Sequence, residues 1–350
     1  MSGSEDTAKA TERAFGAENR ARLLNDFLDR VGAVTPANAW RLVYELLLWI
    51  DRTTGLAHCY ESDKCQPGRP WYARSLAFHD WLASQLEVAP ANVGAEVDHL
   101  FRGAVAGLAQ KTQEERAEAA AAQRRPYESR NFPLPGEDAE LVALVRELLG
   151  PHLGSAPTDE LWRALSERIR THVGQENKRK NLLGEGFEDT LAALIRRLPG
   201  ADRYEIRNRV LLGEIPGFNP QGETEKQKRV DLALWRKDGG QRQLVTSKWS
   251  VRADREEQFG TDFEAYVRVN AGPPFDYVLV TNEFDAARLK AACQKLAGNA
   301  YLFRSVVHVS PDGVLHTYGS DLRGAAKELP GLVSSGRLIS LEQWLAAQTT

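Results

Sequence analysis

Cysteine is scarce in this chain, with three residues among 350, and no apolar run approaches the roughly 18 residues of a membrane span. So few cysteines exclude a disulfide-stabilised secreted scaffold, and the missing apolar run excludes a transmembrane helix. Charge of one sign is not in excess either, because 45 basic residues nearly balance 48 acidic ones. That balance excludes a protein that coats nucleic acid by bulk charge, but it allows basic groups confined to one groove.

Hydrophobic residues make up 42% of the chain and charged residues 27%, which is typical of a globular protein of about two domains. The N-terminal residues 1–6 are polar and lack the apolar core of a signal peptide, so we expect a cytoplasmic protein with no membrane contact. Apolar residues at helical spacing dominate residues 1–155. We therefore predict an all-α N-terminal domain there, with a role in DNA binding or in dimerisation.

Helices alternate with strands after residue 156. A hairpin signal at residues 237–240 joins two strands, and Ser340 with Gln343 forms a capping box that begins the last helix. The other predicted elements are a helix at 183–198, strands at 204–212, 229–235 and 243–249, a helix at 259–270, a strand at 275–281, a helix at 284–296 and a strand at 301–309. This order predicts an α/β fold, with a mixed five-stranded sheet flanked by helices.

Asp231 and Lys248 lie on the two strands of that hairpin. Adjacent strands can place a carboxylate and an ammonium group side by side, as phosphodiester hydrolysis requires: the carboxylate holds Mg²⁺, and the cation helps to generate hydroxide. The ordinary role of such a pair is a surface ion pair, which stabilises a protein only slightly. The pair alone does not distinguish a catalytic site from a surface ion pair, so the surrounding sequence is needed.

The order of a helix, a strand, a strand with Asp231 and a strand ending in Lys248 resembles the PD-(D/E)xK nuclease core. Glu188, on the preceding helix, resembles the acidic residue often found there in that superfamily. The chain departs from the pattern at two positions. Val230 stands where the proline before the aspartate is expected, and Thr246 stands where an acidic residue is expected two positions before the lysine.

The segment at residues 248–255 resembles one branch of the superfamily, the type II restriction enzymes that recognise sites with a CCGG core, and in particular its BsaWI-like members. That branch has Ser or Thr at the position of Thr246. It also carries the motif Lys-x-Ser-x-Arg-x-Asp-Arg, which this chain matches at every fixed position. Arginine can donate two hydrogen bonds to guanine, and aspartate can accept one from cytosine. Arg252, Asp254 and Arg255 are therefore predicted to read a G·C core.

Members of this branch take the missing carboxylate from the helix that follows the lysine strand, and the chain has two candidates there. Asp262 keeps the usual spacing, fourteen residues after Lys248. Glu264 keeps the usual local context, with an aromatic residue before it and alanine after it. Helical periodicity places both acids beside the inward face and does not choose between them. We favour Glu264 and keep Asp262 as the alternative.

The resemblance implies a role for each candidate residue. Asp231 and Glu264, or Asp262, would bind Mg²⁺ as the cofactor. Lys248 would orient or deprotonate the attacking water and neutralise the scissile phosphate. Glu188 would assist the metal site directly or through water.

The resemblance covers residues 183–309 and implies a nuclease domain at residues 156–350. It implies a sequence-specific endonuclease that cuts both strands of DNA at a site with a CCGG-like core and leaves 5′-phosphates. Cutting both strands of a palindrome favours a homodimer or a higher homo-oligomer. Two alternatives stay open: a nuclease on the same core that recognises DNA structure or base modification, and a DNA-binding module that has lost catalysis.

Overall fold

The computed structural model describes residues 14–349, apart from residues 53, 61–63, 107–117, 119–120, 123–124, 126–138, 155–156, 221–226 and 252. It has two compact units. One comprises Met1–Asn19 and Ala104–Leu183, and the other comprises Arg20–Gly103 and Gly184–Thr350.

The predicted boundary at residue 155 does not coincide with this division. Most of the N-terminal helices belong to the unit that carries the sheet. Their bounds are α1 Ala17–Val31, α2 Pro36–Leu47, α3 Pro70–Gln85, α4 Val93–Glu96 and α5 His99–Ala106. These helices belong to the unit with the sheet because they pack against its C-terminal helices: α2 contacts the last helix of the chain, and α3 contacts a helix near residue 315.

The N-terminal region was predicted to be all-α, but it also contains strands. Two short strands, β1 (Ile50–Asp51) and β2 (Leu56–Ala57), pair antiparallel between α2 and α3. Gly55 adopts a positive φ of 72° in the turn that joins them, a conformation that costs glycine little. The strands have two residues each, so they carry no alternating pattern that a sequence analysis could detect.

The helix predicted at residues 183–198 is the C-terminal part of one much longer helix. After α6 (Ala139–Leu149), helix α7 runs through 39 residues, Asp159–Arg197, and includes the basic run near residue 178. Gly174 and Gly184 lie within it. A glycine costs a helix only about 1 kcal/mol relative to alanine, which the surrounding charged helix formers can offset.

The central sheet has six strands rather than the predicted five, in the spatial order β10-β9-β6-β5-β4-β3. The extra strand β10 has three residues and pairs parallel with β9. Antiparallel pairing of β3 with β4 and of β4 with β5, and parallel pairing elsewhere, makes the sheet mixed and confirms the α/β class. The strands are β3 Tyr204–Leu211, β4 Arg229–Arg236, β5 Arg242–Lys248, β6 Asp276–Thr281, β9 Ser305–His308 and β10 Leu338–Ser340, and a separate hairpin comprises β7 Leu296–Ala297 and β8 Ala300–Tyr301.

In the C-terminal part, the helix predicted at residues 284–296 and the last helix lie close to their predicted positions, and two helices that were not predicted lie between them. Helix α8 begins at Ala253 rather than near residue 259, so the end of the motif at residues 248–255 is helical. The capping box of the last helix is confirmed, because Ser340 and Gln343 exchange backbone-to-side-chain hydrogen bonds of 2.9 and 3.0 Å. These helices are α8 Ala253–Val269, α9 Ala286–Gln294, α10 Pro311–Tyr318, α11 Leu329–Ser334 and α12 Leu341–Thr349.

Parallel strands β5, β6 and β9 are the most buried part of the sheet. Their central residues are apolar and almost fully enclosed, as expected for strands covered on both faces. Polar side chains therefore collect at the strand ends. Within the part of the chain that the structure describes, no helix has the length and apolar character needed to cross a membrane.

Candidate active site

The β4–β5 hairpin brings Asp231 and Lys248 into direct contact. Lys248 Nζ donates to Asp231 Oδ2 over 2.7 Å, and the backbone N–H of Ser247 donates to the same oxygen over 3.0 Å. About a quarter of each side chain is exposed, 24% for Asp231 and 26% for Lys248. The pair is thus neither a fully solvated surface contact nor a sealed core interaction.

Thr246 occupies the position where an acidic residue was expected. Its hydroxyl donates to Asp231 Oδ2 over 3.1 Å, so Thr246 helps to orient the carboxylate. Three donors therefore hold one oxygen of Asp231. The other oxygen, Oδ1, accepts no hydrogen bond from the residues that the structure describes.

Glu188 joins this pair from helix α7. Its pKa is raised to about 7, first by burial and then by the negative charge of Asp231, while Arg209 and Lys248 oppose the rise. Glu188 Oε2 accepts a hydrogen bond of 2.9 Å from Arg209 Nη1. A carboxyl group with a pKa near 7 can both accept and release a proton at neutral pH.

Arg209 is a site residue that the sequence did not indicate. Its neighbours pair in register with β4, Asn208 with Leu232 and Val210 with Val230, so Arg209 lies opposite Asp231. Its backbone has a φ of +52°, which costs a non-glycine residue about 1–2 kcal/mol. Strained backbone of this kind is concentrated at functional sites.

The guanidinium of Arg209 links two adjacent acids on α7. It donates from Nη1 to Glu188 and from Nη2 to Asp189 Oδ1. Asp189 also accepts from Arg20 Nε over 2.8 Å, and Arg20 on α1 is 4% exposed. A buried charge network therefore holds the helix that carries Glu188 to the first helix of the same unit.

The structure separates the two candidates for the relocated carboxylate. Asp262 has a side chain that is 17% exposed, and it accepts from Lys228 Nζ over 2.7 Å. Burial raises the pKa of Tyr266, and the negative charges of Asp262 and Asp231 raise it further. Glu264 lies on the exposed side of α8. Asp262 is therefore the more buried of the two acids and is held in an ion pair, whereas Glu264 faces solvent.

The predicted recognition residues are only partly described. Arg252 lies outside the described residues. Asp254 and Arg255 fall in the first turn of α8, not in a loop, and their side chains also lie outside what the structure describes.

The described residues include no group of three or more His, Cys, Asp or Glu side chains that could hold a metal ion. Mg²⁺ does not require such a group, because it keeps several waters and binds through one or two carboxylates. Asp231 offers a suitable ligand, a partly exposed carboxylate oxygen with no hydrogen bond from the described residues. Glu188 supplies further negative charge near it. The donor set therefore fits a hydrated Mg²⁺ ion and not a cage made wholly of protein ligands.

Neither the protein-family models nor the curated proteins compared with this chain give a match, so the conclusions about its site rest on the residues themselves.

Proposed function

We propose that this protein is a Mg²⁺-dependent, sequence-specific endonuclease that cuts double-stranded DNA. The observation that carries the proposal is the contact of 2.7 Å between Lys248 and Asp231, with Glu188 next to it. An ammonium group and two or three carboxylates around one partly exposed position suit the hydrolysis of a phosphodiester better than they suit core packing. The resemblance to the CCGG-recognising branch adds the substrate class.

Asp231 would hold the metal, together with Asp262 and with Glu188, whose pKa responds to the charge of Asp231. Bound there, Mg²⁺ supplies charge neutralisation and polarisation of the scissile phosphate. Lys248 adds a second positive charge beside Asp231 and can donate a hydrogen bond to a phosphate oxygen or to the attacking water. Thr246 keeps the Asp231 carboxylate in one orientation, which preorganises the site.

Glu188 is the group best suited to take up a proton. Its Oε2 is engaged by Arg209, and its Oε1 accepts no hydrogen bond from the described residues. In the proposed step, a water O–H bond breaks, its proton goes to Glu188 Oε1, and the water oxygen forms a bond to phosphorus. The bond from phosphorus to the 3′ oxygen breaks, and that oxygen takes a proton from solvent. The products are a 5′-phosphate and a 3′-hydroxyl.

The motif at residues 248–255 would supply sequence specificity. Arg252, Asp254 and Arg255 would contact the edges of adjacent G·C pairs in the major groove. A single chain has one such site, so cutting both strands of a symmetric sequence requires two copies. We therefore include a homodimer, or a higher homo-oligomer, in the proposal.

The experiment that tests this function is digestion of an unmodified plasmid with Mg²⁺, followed by sequencing of the ends. We expect discrete double-strand breaks within one G·C-rich sequence, with 5′-phosphate ends. The Asp231→Asn variant is the matched control, because it keeps the size of the side chain and removes the charge. Equal cutting by both proteins, or no cutting at any site by the wild-type protein, would contradict the proposal.

A second candidate is a DNA-binding module without catalysis. Thr246 supports it, because its hydroxyl donates to Asp231 and cannot replace a second metal carboxylate. Sequence-specific binding of DNA by the wild-type protein with no Mg²⁺-dependent cutting would favour this candidate.

A further inference from the structure

Glu283 is a buried carboxylate just beyond the end of β6, and its side chain is 4% exposed. Its Oε2 accepts from the Ser250 hydroxyl over 2.9 Å and from the Val251 N–H over 2.8 Å. Its Oε1 accepts from the Asp285 N–H over 2.8 Å. Arg288 Nη1 lies 3.4 Å from Oε2 and supplies the opposite charge. The side chain thus bridges the segment after β5 and the start of α9.

The backbone around Glu283 reinforces this bridge. The N–H of Asn282 donates to the carbonyl oxygen of Trp249 over 3.0 Å. His308 Nε2 lies 2.9 Å from the carbonyl oxygen of Glu283, and its Nδ1 accepts from the N–H of Ser310. Nδ1 is an acceptor, so the imidazole is neutral with its proton on Nε2. Residues 249–251 are therefore fixed to the ends of two neighbouring strands, β6 and β9.

Two tyrosines of the N-terminal region support the same strand end. Tyr44 on α2 donates its hydroxyl to Asn282 Oδ1 over 2.9 Å, and Tyr60 donates to the carbonyl oxygen of Phe284 over 3.0 Å. Both tyrosines are buried. The N-terminal region thus helps to hold the residues on either side of Glu283.

The Ser250 contact gives the serine of the motif a physical role. Ser250 and Val251 immediately precede Arg252, and Asp254 and Arg255 follow in the first turn of α8. A segment anchored by a buried carboxylate is already ordered in the free protein. It therefore loses less conformational entropy when it binds DNA. The serine hydroxyl donates its hydrogen to Glu283, so it cannot donate the same hydrogen to a base.

We infer that Glu283 is a positioning residue for DNA recognition, which holds Ser250 and Val251 so that the following arginines and aspartate meet the base edges in one register. This inference rests on the proposed function. It assigns specificity to a residue outside both the catalytic group and the predicted recognition motif.

The test compares Glu283→Gln, Ser250→Ala and the double variant. A glutamine has one acceptor oxygen, so whichever way its amide turns, either Asp285 or the Ser250–Val251 pair loses its acceptor. We expect the preference for the cognate site over sites differing by one base pair to fall by about ten- to a hundredfold. A small misplacement of contacting groups has an effect of this size. Affinity for unrelated DNA should stay within about twofold, because phosphate contacts dominate it.

The double variant distinguishes positioning from general weakening. If Glu283 acts through Ser250, the double variant should discriminate no worse than Glu283→Gln alone, because residues in one network are not additive. Glu45→Gln on α2 is the matched control, because Glu45 is also a buried carboxylate and pairs with Arg41 at 2.7 Å. It should keep full discrimination. Should Glu283→Gln fail to fold, Ser250→Ala alone must still lower discrimination.

Unchanged discrimination in Ser250→Ala and Glu283→Gln, in a wild-type protein that does cut specifically, would overturn the inference and leave the proposed function intact. A wild-type protein with no specific cutting or binding would overturn the proposed function instead. Hydrogen exchange of the Val251 amide tests the anchoring without DNA. Exchange should be faster in Glu283→Gln than in the wild type, and equal rates would contradict the anchoring itself.

Discussion

Replacing Asp262 with asparagine tests the choice between the two candidate carboxylates. The substitution keeps the side-chain volume and removes the negative charge of the proposed metal ligand. Removing one electrostatic contact from a preorganised site lowers the rate by about 10²–10³, equivalent to about 3–4 kcal/mol of transition-state stabilisation. We therefore expect Asp262→Asn to cut DNA at least about a hundredfold more slowly. Glu264→Gln should stay within about threefold, because Glu264 is exposed.

Asp262 also pairs with Lys228, so loss of that ion pair has to be separated from loss of catalysis. The pair is 34% exposed on the lysine side and 17% on the aspartate side, and its contribution to stability should be below about 1 kcal/mol. Lys228→Met breaks the same pair and leaves the Asp262 carboxylate in place. It should retain most of the cleavage activity.

The assay is single-turnover cleavage of a plasmid at several Mg²⁺ concentrations, with thermal unfolding of each variant measured alongside. Asp262→Asn should also need more Mg²⁺ for half-maximal activity. If Glu264→Gln is the slower variant, the exposed position of Glu264 is not the one it occupies during the reaction. If Asp262→Asn and Lys228→Met lose activity equally, Asp262 serves the ion pair and not the metal.

Three further predictions concern the other site residues. Lys248→Ala should abolish cleavage but keep sequence-specific binding in Ca²⁺, as measured by gel shift, and an active variant would remove Lys248 from the site. Glu188 should make the metal-free protein less stable as pH rises from about 4.5 to 7, because its raised pKa means that folding takes up a proton in that window. The free energy of unfolding of Glu188→Gln, measured relative to wild type by urea titration with EDTA, should therefore rise by on the order of 2 kcal/mol between about pH 5 and pH 8. A difference in unfolding free energy that does not change with pH would contradict the shifted pKa. Asp254→Ala and Arg255→Ala should each weaken discrimination at one G·C pair by about 1–3 kcal/mol, whereas equal losses of specific and non-specific affinity would identify them as phosphate contacts.

The sequence predicted those parts of the fold that depend on local pattern. The hairpin between β4 and β5 follows from its turn residues, where Gly239 adopts a φ of +83°. The start of α12 follows from the Ser340 cap, whose hydroxyl accepts from the Gln343 N–H over 3.0 Å. Strand β10 was missed because three residues are too few to show alternation.

Site residues that lie on one pair of adjacent strands were predicted from the sequence. Site residues that come together from segments distant in sequence were missed. Asp231 and Lys248 lie 17 positions apart on one hairpin, so their contact follows from simple pairing. Arg209 reaches Glu188 through a left-handed backbone that no residue pattern signals. Glu283 contacts residues 32 and 33 positions away, through a loop whose course depends on the tertiary packing.

The two outer strands of the six-stranded sheet have a consequence for solubility. An unpaired strand edge can template aggregation, and proteins limit this risk with short or charged edge strands. Here β10 has three residues, and β3 carries the ion pair of Glu205 with Arg207. Neither edge suits the addition of a strand from another molecule. Both features should lower the tendency of the protein to form intermolecular sheets in concentrated solution.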